Sequence, residues 1–174
     1  MMKKTMMLLA IMLLSVMSMS AQNLIGTWKT TMDSDGQPIK FYLAFSGQTT
    51  LKMKIAVTMN DPEVGSFTIA VNMKGTYSKK GSRLNLHFTP KTAIVKLQNV
   101  KWAGNVKAAI ESSPEKKKMF DEMLEEQLQS VKNDIVNEIP FGETMIIKTL
   151  TSKILEIHSD VDNQTVTFTK VVKK

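Results

Sequence analysis

The residues best suited to metal binding or proton transfer near neutral pH in this 174-residue chain are His87 and His158. A zinc site needs three or four ligands, and with no cysteine in the sequence the two histidines would need carboxylates to complete one. Neither HExxH nor a paired-histidine spacing occurs. His87 falls on the polar side of the alternating segment Leu84-Asn85-Leu86-His87-Phe88, and His158 follows Ile157 at a segment end, so both read as surface histidines on strands. Asp33-Ser34-Asp35-Gly36 opens like a calcium loop, but Gln37, Pro38 and Ile39 follow and no bidentate glutamate does. It reads as a turn rich in turn formers, as does Asp160-Val161-Asp162-Asn163. Gly75 to Gly81 imitates a phosphate loop without its Gly-Lys-Ser/Thr, and there is no nucleophile elbow or dinucleotide fingerprint. The expectation is a protein that is not an enzyme, with no metal and no cofactor.

Charge excludes a further class. The formal net charge is +7, from 23 basic and 16 acidic residues. Yet Arg83 is the sole arginine, where bidentate phosphate reading favours that side chain. Lys116-Lys117-Lys118 is balanced on its own segment by Glu111, Glu115, Asp121, Glu122, Glu125 and Glu126. No nucleic-acid partner is expected.

Residues 1–21 read as an export signal. Lys3 and Lys4 make a basic start, Met6–Leu14 is an unbroken apolar run, and Ser18-Met19-Ser20-Ala21 supplies the small residues of a cleavage site. The run is far short of the roughly 20 residues that span a bilayer. Cleavage after Ala21, with Ser20 the alternative, leaves Gln22–Lys174 as a single domain with no transmembrane span. No cysteine is present to carry a lipoprotein anchor. The expected location is the periplasm or the extracellular space. Half of the 14 methionines leave with the leader, so a methionine-rich binding surface is not indicated.

The rest of the chain mostly alternates. Leu51, Met53, Ile55, Val57 and Met59 face one way while Lys52, Lys54 and Thr58 face the other, a pattern that a strand segregates and a helix scatters. Phe67, Ile69, Val71 and Met73 repeat it after the turn Asn60-Asp61-Pro62-Glu63, which predicts a hairpin. Shorter candidates are 26–32, 39–46, 82–89, 92–102, 144–150, 153–158 and 165–172. About eight or nine short antiparallel strands predict a mainly β, up-and-down barrel, since closure removes unpaired edges. One segment departs from this. From Pro114 to Glu138 the apolar residues Met119, Phe120, Met123, Leu124, Leu128, Val131, Ile135 and Val136 recur at helical spacing. Ser112 or Ser113 can cap its start, Pro114 suits its first turn, and Pro140 and Gly142 end it. This long inserted helix is expected to lie on the sheet or over a barrel mouth, as a lid or a docking surface for a protein partner.

Gly26-Thr27-Trp28 at the first strand resembles the opening motif of lipocalins, and Gly75-Thr76-Tyr77 with Gly81 and Leu84 resembles a hairpin of small exported bacterial lipocalin-like (calycin-like) proteins. The resemblance implies a barrel whose closed end is filled by Trp28, beneath a ligand cavity. Typical lipocalins pack a last-strand arginine on that tryptophan, and here the last strand offers Lys170. They also place their helix after the eighth strand, whereas this one precedes the last strands.

The residues expected to line the interior are Trp28, Phe41, Leu43, Met53, Ile55, Phe67, Ile69, Val71 and Tyr77, with Phe120 and Leu124 from the helix. The same inward faces would serve either a filled core or a cavity. Two functions follow: a binding protein for a small apolar or amphipathic ligand, or a filled barrel that acts as a structural or protein-interaction module.

Overall fold

The computed structural model describes residues 24–34, 37–138 and 142–172. The expected leader lies outside the described residues. Eight antiparallel strands follow in chain order: β1 (Gly26–Ser34), β2 (Gln37–Ser46), β3 (Thr50–Asp61), β4 (Gly65–Lys80), β5 (Arg83–Trp102), β6 (Gly142–Leu150), β7 (Ile154–Ser159) and β8 (Gln164–Lys170). Each pairs with its sequence neighbour, and β8 returns to β1 to close the barrel. Two helices, α1 (Gly104–Glu111) and α2 (Pro114–Glu138), separate β5 from β6. Among the described residues no helix is long and apolar enough to cross a membrane.

The alternation in the sequence becomes register. Ile55 lies between Phe41 and Val71, and Met53 between Leu43 and Met73, so the apolar residues of β2, β3 and β4 share the inner face. The lysines of β3 take the outer face. Lys54 donates to Gln98 across the sheet at 3.3 Å, diagonally over Ala70, which is fully buried although it points outward.

Residues 82–89 and 92–102, separable on the sequence, form one strand. Pro90 lies where Lys74 pairs with Thr89 but Asn72 pairs with Ile94, so the intervening residues of β5 bulge. A proline is tolerated at a bulge because no ladder bond is asked of it there. Thr92 clasps the bulge: its hydroxyl accepts from the Lys74 N–H at 2.9 Å and donates to the Thr89 carbonyl at 2.6 Å. A second irregularity lies between Ser66 and Thr68, opposite Asn99, whose φ is +53°.

Two seams are short. β1 meets β8 at Trp28↔Lys170 and Lys29↔Thr169, and β5 meets β6 from Arg83 to His87. Beyond His87 the long strands β3, β4 and β5 rise past the barrel, and α2 packs against β5 there. Trp102 at the end of β5 joins the two layers, with Phe120 of α2 edge-on at 5.2 Å and Phe67 of β4 at 5.8 Å. The helix starts as its residues dictate, with Ser113 Oγ accepting from the Lys116 N–H at 3.1 Å. Of the expected apolar stripe, Phe120, Leu124, Leu128 and Val131 are half-buried and Val136 packs on the barrel core. Met119 and Met123 are 69% and 53% exposed. The side chain of Ile135 lies outside the described set.

Candidate functional site: the barrel lumen

One end of the barrel is solid. Trp28, Phe45, Leu51, Leu84 and Leu155, from five strands, are among the largest fully buried side chains and pack there. Burying side chains of this size contributes about 1.5–3 kcal/mol each. The Trp28 indole N–H donates to the Leu24 carbonyl at 2.7 Å, so the ring is buried without an orphaned donor. Above the ring, Lys170 Nζ stands 5.0 Å from its centroid, within cation–π range. Gly26 makes room for this contact. Its φ of +134° suits glycine, and a Cβ there would come within 2.7 Å of Lys170 Cε.

Tyr77 completes the plug. Its hydroxyl donates to the Gly47 carbonyl and its N–H to the Thr49 carbonyl, both at 2.8 Å, which pins the β2–β3 turn to β4. Its ring meets Phe45 edge-on at 4.9 Å. Burial pushes the phenol's pKa up from its ordinary value. Gly75 precedes it because β5 passes too close for a side chain: a Cβ would lie 2.2 Å from the His87 carbonyl oxygen.

The other end is hollow. A cavity of about 220 Å³ occupies the lumen there, with walls that are mostly apolar. Met32 of β1, Phe41 and Leu43 of β2 and Met53 of β3 form one side. Leu86 and Phe88 of β5, Met145 of β6, Ile157 of β7, and Val166 and Phe168 of β8 form the other. Polar groups stand at the mouth: Glu143 at the start of β6, Ser159 at the end of β7, Asp162 in the following turn, and Gln164. Ser159 Oγ donates to Glu143 Oε1 at 2.6 Å and accepts from the Asp162 N–H at 3.3 Å. Ser159 is one of two buried polar residues among those described.

The eleven residues expected to line the interior therefore divide among four places. Phe41, Leu43 and Met53 line the lumen, with Ile55 packed beside them against the core. Trp28 and Tyr77 belong to the solid end. Phe67, Ile69 and Val71 sit on the upper part of β4, while Phe120 and Leu124 lie on α2 against β5 and face no part of the lumen. Leu124 instead borders a separate groove between α2 and β5. The lining residues not expected are Met32 of β1 and those of β5 to β8. The signal of the latter was present as alternation in Leu84-Leu86-Phe88, Leu155-Ile157 and Val166-Phe168.

The histidines are elsewhere. His158 Nδ1 pairs with the Thr165 hydroxyl at 2.9 Å, and its Nε2 lies 3.5 Å from an Asp160 carboxylate oxygen, on the outer side of the β7–β8 hairpin. Among the described residues no group of three or more His, Cys, Asp or Glu side chains is placed to hold a metal ion.

No protein-family model matches the chain, and no curated protein matches it. Among solved structures the chain is similar to an uncharacterized protein from Bacteroides eggerthii DSM 20697, known from a crystal structure at 2.60 Å resolution. The two share 18% identity, with 86% of this chain and 100% of that chain covered, at a TM-score of 0.41.

Proposed function

We propose that this chain is an exported, lipocalin-like binding protein that holds a small apolar or amphipathic ligand in its barrel. The observation that carries this reading is the division of the interior into a solid end and a hollow one. A barrel of about eight strands sits at the boundary between being filled by side chains and holding one ligand. Here the packing stops midway, and an apolar cavity of about 220 Å³ remains. An apolar cavity of roughly 150 Å³ is known to admit a benzene-sized guest, so the volume suits a small ring or a short chain. The likeness to lipocalins is supported by consecutive up-and-down pairing and by the tryptophan at the closed end beneath a last-strand cation. The helices between β5 and β6 depart from the lipocalin plan. The proposal assigns the site no catalytic residue.

Native mass spectrometry of the protein released from its own export route tests both halves of the proposal. The expected result is a mass beginning at Gln22, accompanied by a population carrying a small apolar adduct that is lost on unfolding. A retained leader contradicts export. A second reading, a protein-interaction module docking through α2, is favoured by the exposed Met119 and Met123, one turn apart on one helix face. A bound protein and an empty lumen would favour it over the first.

A further inference from the structure

We infer that the lumen selects amphiphiles whose polar head is cationic, a primary amine or ammonium group on a short apolar body. This rests on the reading of the lumen as a ligand cavity and adds the chemistry of its mouth.

Among the described residues, the charged side chains that line the cavity are Glu143 and Asp162, with no lysine, arginine or histidine. Glu143 is half-buried, and Ser159 uses its proton on Glu143 Oε1, which leaves Oε2 available to a ligand donor. With its one proton donated to Glu143, the Ser159 hydroxyl has no donor left for an anionic head. An entering carboxylate or phosphate would meet two like charges at the mouth of an apolar tube, the half-buried Glu143 and the exposed Asp162. An ammonium would meet two acceptors in the same place.

The overall charge of +7 does not reverse this. Several charges at the turns and strand ends divide along the barrel axis. Lys79, Lys80 and Arg83 at the β4–β5 turn, Lys153 at the β6–β7 turn and Lys170 at the end of β8 all belong to the solid end. Asp33 at the end of β1, Glu143, Asp160 and Asp162 belong to the hollow end. At physiological salt the Debye length is about 8 Å, so charges at the far end act weakly on a ligand at the mouth. The local carboxylates decide.

The test is displacement of a neutral fluorescent apolar probe from the full mature protein by three amphiphiles of equal chain length: octylamine, 1-octanol and octanoate. All three should displace the probe, octylamine at about tenfold lower concentration than octanoate, the scale of one charge-assisted contact. Glu143→Gln keeps an acceptor for Ser159 and should bring the amine and acid curves together, leaving that of 1-octanol in place. Asp162→Asn should narrow the gap in the same direction, and serves if the Glu143 variant fails to fold. Equal displacement by amine and acid, or a preference for octanoate, overturns the cationic head while keeping the cavity. Failure of 1-octanol to displace, or failure of the probe to bind, overturns the cavity reading beneath it.

Discussion

At the scale of single residues, the solid end of the barrel is held by polar atoms attached to apolar bodies. Trp28 and Tyr77 each fill volume and each spend their one donor on a carbonyl, Leu24 and Gly47 respectively. Trp28→Ala removes a fully buried ring that also supports Lys170, and should cost about 3–5 kcal/mol in denaturant unfolding. A midpoint equal to wild type would show the ring to be dispensable. Tyr77→Phe keeps the ring and loses the clamp on the β2–β3 turn, at a cost of about 0.5–1.5 kcal/mol. The phenol also makes stability depend on pH. Its folded pKa is raised by burial, so the folded state keeps its proton where the unfolded chain has lost it. Its contribution is complete below the ordinary tyrosine value of about 10 and is lost as pH rises through the folded value. Unfolding curves between pH 9 and 12 should therefore fall more steeply for wild type than for Tyr77→Phe.

Both residues were legible in the sequence through Gly26-x-Trp28 and Gly75-x-Tyr77, where the glycine two residues before the aromatic lets a neighbouring strand come close, Lys170 of β8 at Gly26 and the His87 carbonyl of β5 at Gly75. The resemblance to lipocalins placed Trp28 at the closed end, but the residue pattern alone gave neither residue its role. A list of inward aromatics does not tell the floor of a barrel from its cavity, since both positions share one face of a strand.

At the scale of elements, α2 was legible from its period of apolar residues, its Ser-Pro start and its Pro-Gly end. Its partner was not. The stripe packs against the upper part of β5, which has no β6 beside it, and covers an edge that would otherwise be bare. This could not be foreseen while β5 was divided at Pro90 into two strands. A proline in a bulge looks the same in sequence as a proline in a turn. The short helix α1 left no signal either. It has eight residues, its preceding residue Ala103 supplies no side-chain cap, and none of its residues is buried. Because Phe120 meets Trp102 rather than the lumen, Phe120→Ala should cost about 1–2 kcal/mol, the share of a half-buried aromatic, and loosen α2. Affinity for an apolar probe should stay within about twofold of wild type, the equivalent of under 0.5 kcal/mol. A collapse of probe binding with the sheet signal intact would make the helix a lid after all.

At the scale of the whole molecule, one barrel joins two opposite solutions to the same geometry. Large side chains close the end where β1 meets β8, and the packing ends before the mouth. The upward extension of β3, β4 and β5 with its two helices is a second layer, beside the cavity rather than across it. The central claim is that the lumen is a binding site, and Val166 tests it most directly, being half-buried, on β8 and part of the cavity wall. Val166→Trp would occupy the cavity from within. Titration of a fluorescent apolar probe into wild type and variant, read beside far-ultraviolet circular dichroism, is the decisive measurement. The account predicts stoichiometric binding to wild type and at least a tenfold loss, about 1.4 kcal/mol, in a variant whose sheet signal is unchanged. Equal affinity in the two proteins would place the probe elsewhere and contradict the lumen as the site.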